Sequence, residues 1–120
     1  STELKDDAKY QIALTTFKMA RPSSYDAQST DAAIEQFTRF IKEHPGSELV
    51  EESQEVIRDL KERKAEKALE IAEFYDGQEK WSAAAVYYNK VIEEHPESSS
   101  AKEALEKLTV LKKRQEREKK

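Results

Sequence analysis

Few side chains in this sequence could do chemistry. His44 and His95 are its only imidazoles, and an imidazole can ligate a metal or move a proton near neutral pH. Both stand directly before a proline, in two Glu-His-Pro sequences, so they read as helix-end residues in two equivalent turns rather than as a ligand pair. No HExxH occurs, and no histidine and carboxylates share metal-ligand spacing. Ser98, Ser99 and Ser100 offer hydroxyls but lack the flanking glycine of a nucleophile elbow; they read as a helix cap. Two glycines in 120 residues leave no loop to cradle a phosphate. Cysteine is absent, which removes disulfides, thiol catalysis and thiolate metal sites. The expectation is a chain that is not an enzyme, with no metal and no cofactor.

The composition narrows the remaining classes. The length is that of one ordinary domain. Charged residues make up 38% and the mean hydropathy is -0.94, yet the net charge is only -4, so self-repulsion is weak and nothing draws the whole chain to nucleic acid. No apolar run approaches the ~18 residues needed to span a bilayer. No signal-peptide pattern is visible, and Ser1-Thr2-Glu3 reads as the start of an excised fragment. With 2 glycines and 3 prolines, long uninterrupted elements are expected.

Those elements are helices, five in number. The first is expected over about 2–20, its apolar stripe being Leu4, Ala8, Ile12, Ala13, Phe17 and Ala20, and Arg21-Pro22 ends it. A polar loop follows to residue 29. The second starts near Thr30, a good N-cap. It buries Ala33, Ile34, Phe37, Phe40 and Ile41, and stops at His44-Pro45-Gly46. The third, opened by Ser47 as cap, meets no glycine or proline until Gly77 and should be one rod about 40 Å long. Its stripe is Leu49, Val50, Ser53, Val56, Ile57 and Leu60, then Ala68, Leu69, Ile71, Ala72 and Tyr75. The charged stretch 61–67 between them is expected to be solvated. The fourth runs over about 80–94, with Trp81, Ala84, Ala85, Tyr88, Val91 and Ile92 inward. The fifth begins at a Ser100/Glu103 capping box and buries Ala101, Ala104, Leu105, Leu108 and Leu111. Residues 112–120 carry no apolar side chain and are expected to fray. The core energy is assigned to Phe17, Phe37, Phe40, Phe74, Tyr75, Trp81 and Tyr88.

The chain also repeats itself. Shifted by 51 residues, Ala33, Phe37, Ile41, Glu43, His44, Pro45 and Ser47 fall on Ala84, Tyr88, Ile92, Glu94, His95, Pro96 and Ser98. Helix pairs repeated on this scale point to a solenoid. The second copy, residues 65–98, resembles a tetratricopeptide repeat: Ala68, Ile71, Ala72 and Tyr75, then Trp81, Ala84, Tyr88, Val91 and Pro96, match it in type and spacing. Small residues let two helices approach, large ones fill the gaps, and the proline ends the second helix. The fold expected is therefore an all-α, tetratricopeptide-like helical-hairpin solenoid forming a single domain over 1–120. It has a first hairpin with a long loop (about 1–46), a long linking helix (about 47–77) continuing into a second hairpin (47–98), and a terminal helix with a polar tail (99–120).

The order of parts carries a narrower resemblance. A repeat with an extended loop holding Tyr25-Asp26-x-x-x-Thr30 comes first. Ala33-Ile34-x-x-Phe37-x-x-Phe40-Ile41-x-x-His44-Pro45-x-Ser47 follows, then a charged helical linker, then Ile71-Ala72-x-Phe74-Tyr75 and Trp81-x-Ala83-Ala84. Over roughly 10–108 this resembles the C-terminal half of the BamD family, outer-membrane lipoproteins of the bacterial β-barrel assembly machinery. Family members usually end these helices in Tyr-Pro, where His-Pro stands here twice, and they often carry a basic residue where Tyr87 stands. The resemblance implies a non-catalytic scaffold at the periplasmic face of the outer membrane, with its lipid anchor outside this fragment. It also implies a protein partner, the periplasmic domain of the barrel subunit, contacted mainly through the last repeat.

The partner-binding candidates are Tyr25 and Asp26 on the loop, Tyr87, and the groove residues Glu66, Leu69, Glu73 and Asp76. Tyr25 either packs back on the second helix or presents itself to a partner. Three acids and a leucine would repel a peptide carboxylate and suit a basic or mixed protein surface. Two other readings stand beside this one. One is a generic tetratricopeptide adaptor of another envelope or cytosolic complex. The other is a surface-attaching module using the basic tail 112–120; a solvated helix end accounts equally for that tail.

Overall fold

In the computed structural model of this chain, the described residues are 10–11 and 27–118, with the side chain of residue 118 left aside. They form four helices: α1 (Ala27–Glu43), α2 (Val50–Gly77), α3 (Trp81–Glu94) and α4 (Ser99–Glu118). No strand occurs among the described residues. Four helices are thus described where five were expected. The expected first helix lies outside the described residues, except that Tyr10 and Gln11 are helical.

Proline and capping serine set the punctuation. The chain leaves α1 at His44-Pro45-Gly46, with the His44 N–H still donating to the Phe40 carbonyl (2.9 Å). The Ser47 hydroxyl then accepts from the Leu49 N–H (3.1 Å) and opens α2. After α3 the pattern returns: the His95 N–H donates to the Val91 carbonyl, and the Ser98 hydroxyl accepts from the Ala101 N–H (3.0 Å). The start of α4 is therefore capped by Ser98, not by Ser100, which is buried instead. At the other end of the chain the start of α1 is also earlier than expected: Thr30 is not a cap but a buried residue inside the helix.

The expected rod exists: α2 is a single helix of 28 residues. Its middle is less solvated than expected. Ala65 is fully buried, and Glu62, Arg63 and Lys64 are half-buried. The reason lies partly in Glu62, whose carboxylate accepts from the Ser99 N–H (3.2 Å) and hydroxyl (2.9 Å) at the start of α4. A side chain counted as solvated linker thus supplies a second cap to another helix.

The chain divides into two compact units, residues 1–61 and 62–120. In the first, α1 buries Ala33, Phe37 and Phe40. The Tyr10 ring meets Phe37 edge-on and Phe40 at a tilt, each at 5.9 Å, and the His44 ring lies against Phe40 at 5.4 Å. Tyr10 was not part of the expected stripe. In the second unit, Leu69 and Ala72 of α2, Ala84, Tyr88 and Val91 of α3, and Ala101, Ala104, Leu108 and Leu111 of α4 form one core. Ala72, Ala84 and Ala104 are fully buried; small residues at these places are what let helix backbones approach.

Three apolar residues assigned to the core face out instead: Ile71 is 40% exposed, Phe74 59% and Leu105 56%. Ile71 and Leu105 sit beside the core residues Ala72 and Ala104, and one residue along a helix is a turn of about 100°; Phe74 lies two residues past Ala72, on roughly the opposite side of α2. The buried stripe on α4 runs Ala101, Ala104, Leu108, Leu111, and Leu105 is off it. The tail differs too: α4 continues to Glu118. Leu111 is buried and Gln115 half-buried, and Lys, Arg, Gln and Glu are good helix formers whose cations suit a helix C-terminus.

Candidate functional site: the outer face of the second helical unit

The second unit places side chains on two kinds of surface. One is polar and braced. Glu73 of α2 accepts from the Lys107 ammonium of α4 at 2.7 Å, and Glu103 stands 3.6 Å from the same nitrogen. The hydrogen bond to Glu73 is the main cause holding the Lys107 ammonium above its ordinary pKa, against partial burial that works the other way. One turn further on, Asp76 accepts a 2.6 Å hydrogen bond from the buried Tyr88 hydroxyl. Burial first, then the Asp76 carboxylate, pushes the Tyr88 phenol well above its ordinary pKa. These groups fix α2, α3 and α4 in register.

The other surface is aromatic. The Tyr75 ring of α2 stacks on Tyr87 of α3, with centroids 5.0 Å apart and planes within 5°. Phe74 meets Tyr75 edge-on at 5.5 Å, and the Lys90 ammonium lies 5.2 Å from the Tyr87 centroid, inside cation–π range. Ile71 sits one turn before Phe74 on the same helix.

The sequence candidates fall as follows. Tyr87 is on the aromatic face. Glu73 and Asp76 are half-buried and engaged as above, Glu66 is exposed, and Leu69 is a core residue. Tyr25 and Asp26 lie outside the described residues. Ile71, Phe74 and Lys90 were not singled out as site residues. A signal was present for two of them: once Ala65, Leu69 and Ala72 define the buried stripe, Ile71 falls one residue to its side and Phe74 on roughly the opposite face of the helix. Among the described residues no group of histidines and carboxylates could hold a metal ion, and no helix is long and apolar enough to cross a membrane.

The described residues make an all-helical protein whose second unit leaves Ile71 and Phe74 in solvent. The sequence comparisons say which kind. The profile of the YfiO family, described as an outer membrane lipoprotein, matches residues 2–120, and this chain belongs to that family. Its members are outer membrane lipoproteins facing the periplasm. The outer membrane protein assembly factor BamD of Vibrio cholerae serotype O1 is 31% identical over 81 residues, which cover 68% of this chain and 34% of that protein. The chain thus spans about a third of the length of this relative.

Proposed function

We propose that this chain is a protein–protein interaction scaffold of outer-membrane β-barrel protein assembly, without catalytic activity, built as a tetratricopeptide-like helical-hairpin solenoid. The assembly role is that of the Vibrio cholerae relative, by its name an outer membrane protein assembly factor. The partner is the periplasmic domain of the barrel subunit of the assembly machinery.

The observation that carries the reading is the aromatic face. Among the described residues, every exposed large hydrophobic side chain belongs to the second unit: Ile71, Phe74, Val86, Leu105 and Val110. Leaving a phenylalanine in water gives up ~1.5–3 kcal/mol of burial energy; a partner that covers Phe74 recovers it. Lys90 beside the stacked tyrosines adds a charge that fixes orientation.

The test is capture from detergent-solubilised outer membranes with the immobilised chain. Recovery of the barrel subunit is expected. Recovery of an unrelated envelope complex, with the barrel subunit left in the flow-through, would replace this reading with that of a generic repeat adaptor.

A further inference from the structure

A cavity of about 600 Å³ opens on the second unit, lined by neither Tyr75 nor Tyr87. That volume is in the range of sites that hold a ligand or a partner's side chain. Its lining combines two aromatic residues, Trp81 and Tyr88, with the carboxylates of Asp76, Glu79 and Glu106 and the guanidinium of Arg114. Glu73 and Lys107 also line it, but they neutralise each other at 2.7 Å. Three carboxylates against one exposed arginine leave the cavity anionic.

The carboxylates are not gathered tightly enough to hold a metal: no such group exists among the described residues. Carboxylates spread around the half-buried indole of Trp81 suit an extended, weakly hydrated cation instead. A guanidinium is planar, stacks on indole, and takes paired hydrogen bonds from a carboxylate.

The turn that presents Glu79 points the same way. Glu79 is in the left-handed region, with φ of 60°, where glycine is the easy residue. Its N–H donates to the Asp76 carbonyl (3.0 Å), and the Lys80 N–H donates to the Tyr75 carbonyl (3.0 Å), so the turn is held from both sides. Left-handed residues commonly close helices, and this one sets the Glu79 carboxylate on a fixed turn in the cavity lining.

We infer that this cavity binds an arginine side chain presented by an extended segment of a partner protein, with the guanidinium over Trp81 and between Glu79 and Glu106. The inference takes from the proposed function only that a protein partner exists. Its test needs no barrel subunit, so each can fail alone.

Trp81 is the only tryptophan in the chain, so its emission reports on the cavity directly. The probes are acetyl-Gly-Arg-Gly-amide and the same peptide with citrulline, which keeps the shape and loses the charge. The arginine peptide is expected to give a saturable change in emission, with affinity about tenfold above the citrulline peptide and falling as salt is raised. Glu79→Gln with Glu106→Gln is expected to erase that preference while the helical circular dichroism stays unchanged. Glu79→Gly provides the second variant: it relieves the backbone, keeps the fold, and should still weaken the arginine peptide. Equal affinity for both peptides would overturn the inference. So would undiminished binding by Glu79→Gly, or spermidine binding as tightly as the arginine peptide, which would show a site for any polycation.

Discussion

The turn after α1 and the turn after α3 are built from the same residues, yet the helices before them are finished differently. Ala33 and Ala84 are both fully buried, as are Phe37 and Tyr88. His-Pro ends both helices and a serine hydroxyl opens the next. The first unit packs its core with rings: Tyr10, Phe37, Phe40 and His44 touch in sequence. The second unit fills the same kind of space with alanines, leucines and one tyrosine, whose hydroxyl is tied to Asp76. Its remaining aromatics, Phe74, Tyr75, Trp81 and Tyr87, are left at or near the surface. A core that can close with small side chains frees its large ones for something else, and this is the physical basis for placing the partner on the second unit.

That contrast can be broken most sharply by truncation. Phe37→Ala and Tyr88→Ala should each cost about 3–5 kcal/mol, because each leaves a cavity in a closed core. Phe74→Ala should stay within about 0.5 kcal/mol, as an exposed site does. Urea unfolding followed by circular dichroism measures all three, and a large loss for Phe74→Ala would mean that the face is structural.

Tyr88→Phe tests the one polar difference between the matching sites. It strips Asp76 of its partner while keeping the ring, and Phe37 shows that a phenylalanine fits this place. The expected loss is about 1.5 kcal/mol, the value of a hydrogen bond to a charged group. Below pH 10 the neutral phenol is the form the fold favours. As pH rises above the ordinary phenol pKa, the unfolded chain ionises first, and stability falls toward the raised folded value. Alkaline unfolding of the wild type should show this dependence, and Tyr88→Phe should show less of it, the rest coming from Tyr10, whose phenol burial and then Glu52 also push up.

The two capping serines come next. Ser98→Ala should cost about 1 kcal/mol, since the Ala101 N–H it satisfies is buried. Ser47→Ala should cost less, because the Leu49 N–H is only partly so. Equal unfolding midpoints for the two variants would dissolve the distinction.

The smallest effect concerns His95. Burial, then the nearby Lys64 ammonium, holds its imidazole below the ordinary pKa, with Glu94 opposing. The fold therefore favours neutral His95, and the unfolded chain takes up a proton first. Its contribution is complete above about pH 6.5 and is lost as pH falls toward the lower folded value. His95→Gln should flatten this part of the stability profile between neutral and mildly acid pH; an unchanged slope would assign the effect to other groups.

The helix ends were legible in the sequence because proline and serine act through the backbone within a residue or two of themselves. The repeat was legible because alanine and aromatic residues return at one spacing. Which of two adjacent apolar residues turns inward was not: Ile71 and Ala72, Phe74 and Tyr75, Ala104 and Leu105 differ by a rotation that only the neighbouring helix decides. Distant partners were equally hidden. Glu62 looked like linker until the start of α4 came to it, and Tyr10 stood outside the expected stripe of its own helix. Of the site, Glu73 and Asp76 were named from repeat position, and Tyr87 from the family resemblance. The aromatic stack around Tyr87 and the cavity beside Trp81 depend on contacts across α2, α3 and α4 that no spacing encodes.

The measurement closest to the centre of this account is the affinity of the chain for the periplasmic domain of the barrel subunit, taken for the wild type and for Phe74→Ala with unfolding midpoints recorded on the same samples. The expected result is binding at least about tenfold weaker, equivalent to about 1.4 kcal/mol, at an unchanged midpoint. Full-strength binding by Phe74→Ala would contradict the assignment of the aromatic face to a partner.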